Sequence, residues 1–205
     1  MNKRKYFLEI FKLAEMKYGN LEKRLAGEGW KKPWQTLFAT IMSAQSRDET
    51  TIPIAETLFE KYKTLREISN AKYLNVLSIL KSLNYNKTKT KNIIACAKML
   101  IEEFNGEVPN KIDDLVKLPG VGRKTANLVL SEIYGFDTIT VDTHVHRISN
   151  VLGFVKTKNP AETEFELMKI VPKNYWSRIN RIFVLWGKEV SGRNKIKFLN
   201  ALNDN

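Results

Sequence analysis

The stretch Leu118-Pro119-Gly120-Val121-Gly122-Arg123-Lys124-Thr125-Ala126-Asn127 decides how the rest of the chain is read. Its Pro-Gly-Val-Gly turn stands between two segments of helical spacing. Ile112, Leu115 and Leu118 precede it, with Asn110 and Asp113 framing the start; Ala126, Val129, Leu130 and Ile133 follow it, and Gly135 is placed to end the second segment. Glycine admits positive φ and has no side chain, so backbone N–H groups can approach an anion closely. The next helix N-terminus adds unpaired N–H groups and the positive end of a dipole. A helix–turn–helix of this kind holds phosphate without reading sequence.

Working outward, the same period recurs. Pro33 suits the first position of a helix whose face is Trp34, Leu37, Phe38, Ile41 and Met42. Ile52, Ala55, Phe59 and Tyr62 mark another, and Trp176, Ile179, Phe183 and Trp186 form a late stripe. Asn159, Pro160 and Glu162 read as a cap, a first helical position and a capping-box acid. No period-two strand series appears, so the expected fold class is all-α. The echo of Leu80, Leu83, Lys89, Thr90 and Asn92 in Leu115, Leu118, Lys124, Thr125 and Asn127 suggests a second, degenerate helix–turn–helix without the glycines.

Composition narrows the function. The 205 residues are 43% hydrophobic and 10% aromatic, enough for a real core and against a disordered chain. No apolar run approaches the roughly 20 residues that span a bilayer, and Glu9, Lys12 and Glu15 interrupt the basic start. A chain working inside the cell, cytoplasmic or with the nucleoid, is expected. The single cysteine, Cys96, lies in an apolar stretch and reads as a small buried hydrophobe. With only His144 and His146 besides, no convincing metal-ligand set remains. The formal charge is +12. Lys81, Lys87, Lys89, Lys91 and Lys98 face no acid in their stretch, and Arg178, Arg181, Lys188, Arg193, Lys195 and Lys197 meet only Glu189. That clustering suits a polyanion, nucleic acid first and an acidic membrane surface second.

LPGVGRKTAN followed by Val141-Asp142-Thr143-His144-Val145-His146-Arg147 resembles the helix-hairpin-helix DNA glycosylases of the endonuclease III type. Ser43-Ala44-Gln45 and Asn105-Gly106-Glu107-Val108-Pro109 extend the likeness over roughly residues 30 to 190. The resemblance implies two all-α lobes with DNA in the cleft. One would be a continuous segment, 25–136, containing the hairpin; the other would join 1–24 to 137–205. It implies damaged double-stranded DNA as the partner, no membrane, and a monomer.

The resemblance also assigns roles. Lys124 would be the nucleophile, its amine attacking C1′ and forming a Schiff base; a phosphate contact is the plainer reading. Asp142 would be the carboxylate that stabilises positive charge at C1′ and the ring oxygen, although an Asp before a helix is also an ordinary N-cap. Gln45 would enter the gap left by the flipped nucleotide. Tyr85 stands where relatives place a second, apolar wedge, but Asn84 and Asn86 replace an expected Gly and Tyr. Leu118, Gly120, Val121, Gly122 and Arg123 would form the DNA-contacting hairpin. His144 follows the Asp as in relatives, with phosphate contact and packing both open.

The largest departure lies after Gly187-Lys188, where relatives place four cysteines holding an iron–sulfur cluster. Ser191 stands in place of the first and the other three are missing. The expected cofactor is therefore none. Ile196, Leu199 and Leu202, with Phe198 beside them, suggest a terminal helix that replaces the cluster by apolar burial. The function implied is a bifunctional glycosylase and AP lyase removing oxidised pyrimidines. A uracil or thymine mismatch glycosylase and a non-catalytic structure-specific DNA binder are the alternatives.

Overall fold

The computed structural model describes residues 2–203; Met1, Asp204 and Asn205, the ends of the expected second lobe, lie outside the described residues. The fold is all-α, with no strand among the described residues. It divides into two compact units, Arg24–Gly135 and Met1–Lys23 with Phe136–Asn205. Among the described residues, no helix is long and apolar enough to cross a membrane.

The continuous unit is built from α2 (Pro33–Ser43), α3 (Asp48–Lys61), α4 (Leu65–Ser69), α5 (Tyr73–Leu80), α6 (Asn86–Glu103), α7 (Ile112–Leu115) and α8 (Arg123–Tyr134). Pro33 opens α2, where its missing N–H has no helical partner to lose. The apolar face of α2 is buried from Trp34 to Met42 and packs against α3 and α8. Short α4 is held by reciprocal caps: Glu67 N–H donates to Thr64 Oγ1 at 3.2 Å, and Thr64 N–H donates to Glu67 Oε2 at 3.1 Å. Gly135, at φ 65°, ends α8. Cys96 is buried in α6, where burial pushes its thiol up to about 12.

The sequence echo has a structural counterpart. Leu83 N–H donates to Leu80 O at 2.9 Å between α5 and α6, and Leu118 N–H donates to Leu115 O at 3.1 Å between α7 and α8. The two turns diverge at their lysines: Lys89 is buried and Lys124 exposed.

The discontinuous unit contains α1 (Lys3–Tyr18), α9 (Thr143–Val151), α10 (Pro160–Ile170), a 3₁₀ turn (Lys173–Tyr175), α11 (Trp176–Glu189) and α12 (Lys195–Asn200). Phe7 and Phe11 of α1 meet Phe183 of α11, and Phe7 also meets Phe154 edge-on at 5.0 Å. Asn159 caps α10 by accepting from Glu162 N–H, and Pro160 follows it.

Two expectations need correction here. The basic surplus of residues 178–197 is partly structural: Arg178 pairs with Glu15 at 2.6 Å, and Arg181 donates to Leu21 O at 2.8 Å. Of the residues expected to bury the terminal segment, Ile196 is 67% exposed, whereas Leu202 is buried. Phe198 is the anchor. It is fully buried, its ring 5.4 Å from Trp186 in a T-shaped contact.

Candidate active site and nucleic-acid interface

In the Leu118–Gly122 turn, the two glycines act differently. Gly120 takes φ +84°, and a Cβ there would lie 2.9 Å from Asn92 Nδ2. Both the left-handed backbone and the close approach of α6 therefore require glycine. Gly122 has φ −99° and would meet nothing within 4 Å. Its missing side chain leaves open space before the first turn of α8, the space an incoming phosphate needs. Leu118 and Val121 are buried in the core, so only their backbone is available to a ligand, and Val121 N–H already donates to Leu118 O. Arg123 and Lys124 stand exposed on the first turn of α8, while Thr125, Ala126 and Asn127 are buried behind them.

These contacts make Gly120→Val a sharp test of the turn. A β-branched residue at φ +84° is strained before any clash with Asn92 is counted. Affinity should fall for every duplex, damaged or intact, with the ratio between them unchanged. Titrations of both duplexes across a salt series check this. The slope for the native protein should be about −0.9 per neutralised phosphate, and shallower for the variant.

In the discontinuous unit, Asp142 caps α9: its Oδ1 accepts from Val145 N–H at 2.8 Å. Capping fixes the direction of the carboxylate and does not exhaust its acceptor sites. His144 is half-buried; a Cβ on Gly187 would sit 2.3 Å from its Nδ1. Burial pushes its pKa below the usual value, which favours the neutral ring. Sequence reasoning missed Arg147. One of its guanidinium nitrogens, Nη1, donates to Gly192 O at 2.8 Å, and Nη2 donates to Gly187 O at 2.7 Å. Its guanidinium lies 5.3 Å from the Phe198 ring. Arg147 thus ties α9, whose cap is Asp142, to the end of α11 and to α12. The Arg in Val145-His146-Arg147 was visible, but the carbonyls it binds lie 40 or more positions away.

Gln45 and Tyr85 both lie in the continuous unit, exposed and in the left-handed region at φ 53° and 57°. Lys89, 4% exposed, donates to Ser46 Oγ at 2.9 Å, and burial pushes its ammonium down to about 8. An unfolded lysine titrates near 10.4. Between those values the unfolded chain binds more protons, so Lys89 makes stability rise with pH; below pH 8 its burial cost is fully present. Urea unfolding of native protein and Lys89→Met at pH 7.5 and 9.5 should show the difference moving in the native protein's favour at the higher pH.

The sequence profile of HhH-GPD superfamily base excision DNA repair proteins matches residues 38–173, which include the hairpin, Lys124 and Asp142. The chain belongs to this superfamily. Among HhH-GPD relatives, it is 41% identical over 158 residues to the endonuclease III of Thermotoga maritima, covering 77% of this chain and 74% of that protein. With the endonuclease III of Buchnera aphidicola it shares 36% identity over 197 residues, covering 96% and 92%. Its fold is similar to that of a trapped endonuclease III–DNA covalent intermediate, with a TM-score of 0.84 and 35% identity over 92% of this chain and 87% of that one.

The iron–sulfur cluster implied by this likeness does not fit the residues present. Four thiolates are required, and the chain has one cysteine. That thiol is buried in α6 and held protonated. Among the described residues, no group of three His, Cys, Asp or Glu could hold a metal ion.

Proposed function

We propose that this DNA glycosylase with AP-lyase activity, a base excision DNA repair protein, removes oxidised pyrimidines from duplex DNA through a covalent adduct of Lys124, as a monomer and without an iron–sulfur cluster. One observation carries the reading: Lys124 projects exposed from the first turn of α8, directly after a turn in which Gly122 leaves open space before that helix. The likeness to an endonuclease III captured as a covalent DNA intermediate supports it.

The chemistry follows from the groups in place. The Lys124 amine forms a bond to C1′ as the C1′–N bond breaks and the base departs with the electron pair and a proton. Asp142 stabilises the positive charge that develops at C1′ and the ring oxygen, and takes up or returns protons during attack. The amine lone pair then forms C1′=N as the C1′–O4′ bond breaks, and O4′ takes the proton the nitrogen gives up, opening the sugar to the Schiff base. A water molecule or Asp142 then takes a C2′ proton, C2′=C3′ forms as the C3′–O bond to the phosphate breaks, and water hydrolyses C1′=N to an aldehyde and free Lys124. Gln45 fills the gap left by the flipped nucleotide, offsetting the few kcal/mol of unstacking. Gly120, Gly122 and Arg123 hold the phosphates.

Base release from defined duplexes tests the substrate. Strands carrying an oxidised pyrimidine, a uracil and a mismatched thymine are compared in single turnover. Release of the oxidised pyrimidine at least about tenfold faster than the others, a gap of about 1.4 kcal/mol, supports the reading. Faster release of uracil or thymine moves the protein to mismatch repair, and release of none leaves a DNA-binding clamp.

A further inference from the structure

Gln45, after α2, and Tyr85, before α6, share an uncommon feature: each is a non-glycine residue held at positive φ. Such a conformation persists where the surrounding contacts over-determine it. Here the contacts are specific. Asn84 Nδ2 donates across to Gln45 O at 2.6 Å. Asn86 Nδ2 donates to Lys81 O at 2.8 Å, fixing the other flank of Tyr85 to the end of α5. Buried Lys89 donates to Ser46 Oγ at 2.9 Å, next to Gln45. Two turns distant in sequence are thereby joined twice, side by side. The Gln45 and Tyr85 side chains remain outside the network, and Tyr85 is 65% exposed, a large ring left in water.

Desolvating an ammonium to hold a loop is costly, and an exposed loop needs no such tether to fold. Asn84 and Asn86 are also the two residues that depart from the Gly and Tyr expected here. An asparagine amide supplies a donor that glycine lacks. We infer that Asn84, Asn86 and Lys89 are positioning residues that lock Gln45 and Tyr85 into one preset edge, which enters the base stack as a unit. Gln45 meets the orphaned base, and Tyr85 stacks on the neighbouring base. A preset edge avoids the ordering cost that a loose loop meets on binding. The inference rests on the repair reading above for its DNA target, but the tether itself is a property of the free protein.

The experiment separates the two. Amide hydrogen exchange at residues 44–47 of the DNA-free protein should accelerate about tenfold in Asn84→Ala and in Ser46→Ala, as loss of one hydrogen bond implies. Asn84→Asp, equal in size but without the donor, should match Asn84→Ala. On DNA, Asn84→Ala should slow single-turnover base release from a lesion duplex about tenfold, corresponding to about 1.4 kcal/mol. Strand cleavage at a preformed abasic site, where no base must be unstacked, should change by less than about twofold. Ser46→Ala and Lys89→Met should not add, because both remove one bond. Unchanged exchange overturns the tether whatever the DNA result. Faster exchange with equal slowing of both DNA reactions overturns the preset edge. If the native protein releases no base, the repair reading fails, and exchange alone decides the tether.

Discussion

Borohydride should trap the native protein on lesion-containing DNA as a stable covalent complex, and Lys124→Gln should abolish that complex while leaving DNA binding measurable. The reason is the distribution of tasks. The turn proposed to hold phosphate uses Gly120 and Gly122, whereas Lys124 stands exposed on the first turn of α8, so its amine can be removed without disturbing that backbone. Reduction converts the Schiff base into an amine that cannot hydrolyse, which makes the adduct countable by denaturing gel. Trapping that persists at another lysine would remove Lys124 from the mechanism. Asp142→Asn completes the test. Its amide oxygen can still accept from Val145 N–H, so α9 keeps its cap. The formal charge is lost, and base release should slow by about a hundredfold or more. Near-normal turnover with an intact fold would reduce Asp142 to a cap.

Phe198→Ala should cost about 3–5 kcal/mol of stability, the range for an aromatic removed from a core, and lower the melting temperature by roughly 10 °C. Phe198 is fully buried between the Trp186 ring and the Arg147 guanidinium. Beyond it, Lys17 Nζ donates to Ala201 O at 2.7 Å and pairs with Glu189 at 3.1 Å, so α1 holds the same tail. Deleting residues 195–205 should destabilise at least as much. In both variants Lys124 chemistry should survive at low temperature, where the weakened unit that carries Asp142 stays folded. The native protein should be colourless and free of stoichiometric iron by elemental analysis. A melting temperature unmoved by Phe198→Ala would show a loose tail, and stoichiometric iron would refute the cluster-free proposal.

The helices were legible because their large apolar residues recur at helical spacing, although burial itself runs unbroken from Thr36 to Met42 and from Ile182 to Gly187. Trp34 to Met42 and Ile179 to Trp186 carry stripes that only a core-facing helix requires, and Asn159, Pro160 and Gly135 mark ends by local chemistry. The hairpin was legible for the same reason, since Gly120 answers a backbone demand. Contacts across the chain were not. Arg178 was counted toward a polyanion-binding surface, but its partner Glu15 lies 163 positions away. Lys89 and Asn84 find Ser46 and Gln45 across 43 and 39 positions. Alpha12 failed differently. Six residues are too few for a spacing to define a face, so the surface beneath, centred on Trp186, selected Phe198 rather than Ile196.

The discontinuous unit sets an order of events during synthesis. Alpha1 emerges from the ribosome with the side chains of Phe7 and Phe11 unpartnered, because Phe154 and Phe183 are not yet made. At about 5–20 residues per second, the wait is on the order of ten seconds. Arg24–Gly135 is continuous and can close within that interval, while the apolar face of amphipathic α1 still waits for its partners. A ribosome stalled before Phe183 would therefore display one folded unit and one helix with its apolar face uncovered.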